Sequence, residues 1–566
     1  MSTKNILDKT IRVCLLFIVV TSVVVSLPAA TGEPSPDSYN YKFIVNEDGF
    51  TQVSVTFQST RNMGSSWVFV PKREFTPWTN ITTSGEIMGY RFANTKDKVG
   101  EDYYFYEVFE FSFVSESSFE MMIQFKMSEA ALIIEPRGIF FSPQIGFHSD
   151  SIGESEAEVF FPSSYTVNEE LVASSSGVST YTIVNSSSVL FHLKNNVERL
   201  QVEFETATTE PTWKQLNQSV FRFKAVKRYE NYASEILSLF NTVYYDFTDL
   251  FNVTLEDIDV QFFIPEFETL LAVGGFIPFT GGTLGEININ IFFIRAVNGT
   301  IQTIALHELI HHFLWKAGLS PGSFLWFHEG TAQFVSIETV DDLGYAGAVI
   351  ERDGLEQSAS QLIAQTGENF GFLQEWTPNN QPADVTAHYV ASYYVVSRLA
   401  EEYGGLDFYK RFFEKIQSVK IETNDELAFH LSLAANASVD LKLKLWGFDI
   451  RLLYNGSAIS PERIYEAEKA IDGLSPIFQP YKLIAESLYQ QALRRLERGD
   501  VNGANQLLDA AISLANLAPL ITLLTIAAIL AVIVYVLHKH KSEPTVEPPQ
   551  HPALEETTAY SFSFAP

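Results

Sequence analysis

Leu517 to Leu537 runs for twenty-one residues without a charged side chain, and this run limits the architecture more than any other feature of the chain. About 20 apolar residues rising 1.5 Å each cover the hydrocarbon thickness of a bilayer, so one transmembrane helix is predicted there. His538, Lys539, His540 and Lys541 follow at once, and basic residues favour the cytoplasmic side. At the other end, Lys4, Lys9 and Arg12 precede a fifteen-residue apolar run, Val13 to Leu27, followed by Pro28-Ala29-Ala30-Thr31-Gly32. This pattern predicts a signal peptide over 1–30. An uncleaved N-terminal anchor is the alternative, and the run is short for a span. Seven Asn-x-Ser/Thr triplets, at Asn80, Asn185, Asn217, Asn252, Asn298, Asn436 and Asn455, all fall between the two apolar runs. They fit N-linked glycans on an exported segment. The expected topology is single-pass in the cell membrane, with the ectodomain outside and a short disordered cytoplasmic tail at 538–566, rich in Pro, Glu and Thr.

The 566 residues suffice for two or three folded units. With 68 acidic against 38 basic side chains the net charge is -30, which repels phosphate and argues against nucleic acid as a partner. The lone cysteine, Cys14, lies in the N-terminal apolar run. Disulfide scaffolds and thiolate metal sites are therefore excluded, and a metal would have to use His, Asp and Glu.

The fold expected is multidomain α+β. Tyr103 to Val114, Phe119 to Met127 and Leu200 to Glu205 are rich in aromatic and β-branched residues, with turn-formers between them. They predict a β-sandwich-like domain over 38–210. Beyond it, Ala225 to Phe251 has helical spacing, Val260 to Ile264 reads as a strand, and Glu286 to Phe293 alternates, with further helices up to about residue 470. This second domain, 215–470, is expected to be mainly helical with a small sheet. A helical hairpin over 475–515, broken at Gly499-Asp500-Val501-Asn502-Gly503, leads to the span at 517–537.

Chemistry concentrates in His307-Glu308-Leu309-Ile310-His311. Two histidines four apart project from one helix face and can share a cation, while Glu308 points beside them towards bound water. Asn298-Gly299-Thr300 caps the helix, Leu306, Leu309, Ile310, Phe313 and Leu314 give it an apolar face, and Gly318 with Pro321 ends it. Seventeen residues separate His311 from Glu329, which lies within Trp326-Phe327-His328-Glu329-Gly330. A turn at Leu319-Ser320-Pro321-Gly322 lets a second helix fold back and offer Glu329 as a third ligand. Two imidazoles, one carboxylate and an open position make a catalytic zinc set, and nitrogen ligands favour zinc over magnesium or calcium. One Zn2+ per chain is expected.

These residues resemble the gluzincin zinc metallopeptidases, in particular the M1 aminopeptidase-like and peptidase MA-like group. There His-Glu-x-x-His is followed by a Trp-Leu-Asn-Glu-Gly-like segment that bears the third ligand. Here Trp326-Phe327-His328-Glu329-Gly330 matches with His328 in place of Asn, and the spacing is one residue shorter than usual. Tyr389-Val390-Ala391-Ser392-Tyr393-Tyr394 resembles the helix carrying the group's catalytic tyrosine. The resemblance implies that Tyr389 donates to the oxyanion, with His388 a weaker candidate. It also implies a thermolysin-like catalytic domain. The group's Gly-x-Met-Glu-Asn stretch, which captures a free amine, has no counterpart in register: Gly281-Gly282-Thr283-Leu284-Gly285 stands there, with Glu286 displaced. Glu286 is the candidate substrate-binding carboxylate, on a polar face shared with Asn288 and Asn290.

The function expected is a membrane-anchored extracellular zinc peptidase acting on peptides or proteins, with Glu308 as general base and no strict need for a free N-terminus. The strand from Glu286 to Phe293 is expected to receive an extended peptide by strand addition. Two other readings stay open: a catalytically silent binding or adhesion protein of peptidase fold, and a zinc hydrolase of non-peptide substrates.

Overall fold

A computed structural model describes residues 37–280, 282–454, 461–498 and 500–541. The expected signal peptide, the tail from Ser542 and the acceptor Asn455 lie outside them. The chain is mixed α/β and forms two compact units, one holding the residues up to Thr248 with Val253–Phe313 and Ala332–Gly354, the other Asp249–Asn252, Leu314–Thr331 and the chain from Leu355 onward.

The first unit opens with a sheet-rich region. Asp37–Val45 buries every second residue and pairs antiparallel with Thr51–Ser59, setting Tyr39 opposite Phe57 and Phe43 opposite Val53. Both strands belong to a seven-stranded sheet, and four- and three-stranded sheets accompany it. Their inward residues, among them Phe43, Phe57, Val68, Phe109, Phe113, Phe140, Val202 and Phe204, form one hydrophobic core. Each such side chain contributes about 1.5–3 kcal/mol by leaving water, so alternation alone explains why these segments are strands. The expected strands at Phe119–Met127 and Leu200–Glu205 form with those limits. The one expected from Tyr103 starts at Tyr106.

The same unit then builds a five-stranded sheet from β1 (Trp213–Gln218), β2 (Phe221–Val226), β3 (Ile258–Phe263), β4 (Gly275–Phe276) and β5 (Ile287–Asn290). Its order is β1-β2-β3-β5-β4, with β3 parallel to β2 and to β5, and β4 antiparallel at the edge. Helix α1 (Glu230–Phe251) buries Ala233, Ile236, Leu237, Phe240, Val243, Tyr244 and Phe247, the spacing of one helical face. Phe240 and Tyr244 pack on Phe221 of β2, and Tyr244 and Phe247 pack on Phe313 of α2 (Thr300–Lys316). Helical spacing had pointed to a start at Ala225. Instead Ala225 and Val226 end β2 and the helix begins at Glu230, because the buried sheet position outweighs local propensity.

The second unit is helical. It takes in parts of α3 (Pro321–Asp342) and α4 (Ala346–Thr366), then α5 (Val385–Tyr403), α6 (Leu406–Ile416), α7 (Asn424–Ala435) and α8 (Val439–Leu445). Gly404, in the left-handed region at φ 110°, closes α5, and Thr423 with Glu426 forms a reciprocal cap on α7. Finally α9 (Pro461–Asp472), α10 (Gln479–Glu497) and α11 (Val501–Lys541) share a core of Ile464, Tyr489, Leu493, Leu508 and a row of alanines. The expected hairpin and span are not separate elements. Its second helix continues through Pro519 into the apolar run as one helix, 41 residues long. Over Val501–His538 this helix is long and apolar enough to cross a membrane.

Candidate active site

α2 carries His307, Glu308 and His311 on consecutive turns, with Leu306, Leu309, Ile310 and Phe313 fully buried on its other side. The two imidazole rings stand 4.8 Å apart between centroids and nearly perpendicular, at 81°. Gly318, at φ 92°, terminates the run after α2, and α3 begins at Pro321, whose missing N–H costs nothing at a first helical position. The backbone of α3 leaves helical values at Phe324, so the stretch carrying Glu329 restarts beyond it. It presents Glu329, which is buried to 8% exposure. One nitrogen each of His307 and His311 and one oxygen of Glu329 lie within 4.8 Å of one another.

That donor set fits a zinc ion. Four-coordinate zinc holds nitrogen and carboxylate ligands at about 2.0–2.2 Å, which sets the donors roughly 3.4 Å apart. Side-chain rotations can bring the three groups to that spacing. Glu308, 6% exposed, is not one of the three donors of that group.

What holds Glu308 in place was not read from the sequence. Edge strand β4 passes directly over it: a Cβ on Gly275 would fall 2.7 Å from Glu308 Oε1 and 2.9 Å from the Asn288 carbonyl. Only glycine lets the backbone approach so closely. β4 is in turn fixed by Asn290, whose side-chain amide donates to the carbonyls of Leu270 at 2.8 Å and Val273 at 2.7 Å. Its backbone N–H donates to Gly274 at 2.9 Å.

This overturns three expectations for the segment after Glu286. The strand covers only Ile287–Asn290, and Ile291–Arg295 is a 3-10 turn. It lies inside the sheet, paired on both sides with β3 and β4, so it cannot accept a peptide; β4 holds the edge. Asn288 and Asn290 are 4% and 0% exposed, so they do not line an open face. Their hydrogen-bonding capacity goes to the backbone and neighbouring side chains, since buried polar groups need partners. Glu286 itself is exposed and accepts a hydrogen bond from Gln261 Nε2 at 2.6 Å.

Other polar groups near the motif have structural duties. His328, fully buried, places Nε2 at 3.1 Å from the Leu319 carbonyl and so ties α3 to the turn before it. Trp326 Nε1 donates to Asn424 Oδ1 at 3.0 Å. Burial pushes the His312 imidazole down to about 4, with His311 adding to the effect, which leaves it neutral in the core. Burial also raises the Glu351 carboxyl, while a 2.6 Å hydrogen bond from Gln333 and the charge of His307 act the other way. Gln333 lies one turn past Glu329.

Tyr389 lies on α5, 40% exposed, with its ring edge-on to Trp376 at 5.0 Å. His388 packs on Phe372 and Trp376, and its Nδ1 is 2.9 Å from the Asp384 carbonyl. Tyr393, one turn on from Tyr389, is buried at 3% exposure. α3 and α5 cross closely: a Cβ on Gly330 would fall 2.4 Å from the Ser392 carbonyl. Comparison with known proteins adds nothing to this geometry, for no protein-family model and no curated protein matches the chain.

Proposed function

We propose that the chain is a membrane-anchored zinc peptidase of thermolysin-like catalytic architecture, related in mechanism to the M1-like gluzincins. The observation that carries this reading is the grouping of His307, His311 and Glu329 around one ligand position, with Glu308 held beside them under an edge strand. Zinc, when bound by those three side chains, supplies the Lewis acidity that activates water and polarises a carbonyl. The Glu308 carboxylate takes the proton from the attacking water and delivers it to the departing amine nitrogen. The Tyr389 phenol donates a hydrogen bond to the carbonyl oxygen as negative charge builds there. An extended peptide pairs with the backbone of β4, the free edge next to Glu308, which fixes the scissile bond against the base. The apolar run of α11 anchors the enzyme, with the folded units outside, glycans on them, and the basic end of the helix in the cytoplasm.

The test is metal content and turnover of the full-length chain in detergent, on a peptide and its N-acetylated twin. Glu308→Gln is expected to keep about one zinc per chain and lose turnover, whereas His307→Ala, His311→Ala and Glu329→Ala lose both. Both peptides are expected to be cleaved, because Glu286 is the one carboxylate offered for a free amine and it stands outside the family's register. Full turnover by Glu308→Gln would sink the mechanism. Cleavage of the free peptide alone, abolished by Glu286→Gln, would make the enzyme an aminopeptidase.

A further inference from the structure

α10 and α11 form an antiparallel hairpin, and the residues each exposes change from polar to apolar at matching heights. On α11 the exposed positions are Asn502, Gln506, Asp509, Ala510, Ser513 and Asn516, and then Leu517, Pro519 and Leu520. On α10, counted from the same turn, they are Arg495, Arg494, Gln491, Gln490 and Ser487, and then Ile484, Leu483, Pro480 and Gln479. Ile484 is 53% exposed, Leu483 56%, and Ile477, just before α10, 71%. With a rise of 1.5 Å per residue, Ile484 lies roughly 22 Å below the turn between the helices and Leu517 roughly 27 Å. Ile477 reaches about 33 Å, past the start of the apolar run.

Scattered exposed aliphatics are ordinary on soluble proteins. These three are not scattered. They occupy the end of α10 beside the apolar run, and no exposed aliphatic occurs on the described part of α10 nearer the turn. The buried face of α10, Ala485, Tyr489, Ala492, Leu493 and Leu496, is already used against α11. Leu483 and Ile484 therefore face outward within about 5 Å of the level at which the neighbouring helix begins its apolar run.

We propose that the base of this hairpin is embedded in the membrane interface, with Ile477, Leu483 and Ile484 seated among lipid headgroups and the first methylenes of the acyl chains. The inference rests on reading Leu517–Leu537 as a membrane span. The occupant of the apolar patch is the lipid of the same bilayer, because the patch is continuous with the exposed surface of the span. Depth agrees as well, since an interfacial apolar face sinks about 5–10 Å into the headgroup and acyl boundary. Tyr481 and Phe478, partly buried against the hairpin core, add aromatic rings at this level. Asp472 and Glu486 lie within 4 Å of Lys482, so this surface carries no excess of positive charge and suits neutral headgroups. The hairpin then holds the helical unit close to the bilayer instead of on a free tether.

The experiment uses the full-length chain with Cys14→Ser, reconstituted in phosphatidylcholine vesicles. Single nitroxide labels are placed at Ile477→Cys, Ile484→Cys, Arg494→Cys and Ala527→Cys, and collision with oxygen and with a water-soluble nickel chelate is measured. The label at 527 is expected to collide with oxygen and not nickel, and that at 494 with nickel. Labels at 477 and 484 are expected in between, with 477 the deeper. Nickel access at 477 and 484 equal to that at 494, with 527 still in the acyl core, overturns the inference and leaves the span intact. Nickel access at 527 overturns the span and the inference together. Protection of 477 and 484 that disappears as the protein-to-lipid ratio is lowered assigns the patch to a second copy, and also overturns it.

Discussion

Gly275 leaves Glu308 almost no slack on one side. A methyl group there would lie 2.7 Å from Glu308 Oε1 and 2.8 Å from its Cγ, so Gly275→Ala must push the carboxylate or the edge strand aside. A displacement near 1 Å at a reacting group costs up to about a hundredfold in rate. Gly275→Ala is therefore expected to lower kcat tenfold to a hundredfold by that rule, with zinc retained. Gly274→Ala is the control, because its nearest neighbours are flexible Ile304 side-chain atoms at 3.2 Å. Equal losses in both variants would show that the close approach is irrelevant. Tyr389→Phe is expected to reduce kcat by about 10²–10³ with unchanged zinc, the usual cost of one oxyanion donor. A loss at Tyr393 instead would move the role one turn along α5. At this scale the grouping of His307 with His311 was legible, because spacing on a helix fixes direction, and Glu329 followed from the turn before its helix and the motif around it. Gly275, Asn290 and Gln333 were not, since their roles arise from pairings that no local pattern encodes.

α3 and α5 meet through a glycine, and the helix crossing depends on it. The Cβ of Gly330→Ala would fall 2.4 Å from the Ser392 carbonyl and 2.7 Å from Val396 Cγ2. Neither the α5 backbone nor the packed valine can yield cheaply. The variant is expected to lose about 1–3 kcal/mol of stability, read as a lowered thermal midpoint. An unchanged midpoint would mean that the helices separate freely. Among elements, long ones with clear periodicity were legible: the Phe119–Met127 strand and the helix around His307 came from sequence alone. The two-residue edge strand β4 has no periodicity to read. The interior position of β5 follows from pairing over long range, so its four buried residues, alternating Ile and Asn, resembled a half-exposed strand. α11 runs unbroken through Leu517, because the change from polar to apolar side chains there does not interrupt the helical backbone.

For the whole molecule, the apolar run and the folded units make opposite demands on solvent. The chain carries a net charge of -30, which favours solubility in water, while Leu517–Leu537 exposes a long apolar surface of the kind that lipid or detergent covers. The position of the boundary can be tested, because the Val501–Asn516 part of α11 belongs to the folded unit. Ala504, Leu508, Ala511 and Ala515 are buried there against Tyr489, Leu493 and Leu496 of α10. A chain of residues 31–516 therefore removes both apolar runs and retains most of this core. It is expected to remain in the supernatant without detergent and to unfold cooperatively, with zinc content matching that of the full chain. A chain ending at Arg498 loses all of α11 and bares the α10 face. It is expected to unfold at a markedly lower temperature or to aggregate. Sedimentation without detergent and a thermal melt read both outcomes. If residues 31–516 pelleted with membranes, the Leu517–Leu537 run would not be the main anchor. If the shorter chain melted like the longer one, the hairpin would be an appendage and not part of the folded unit.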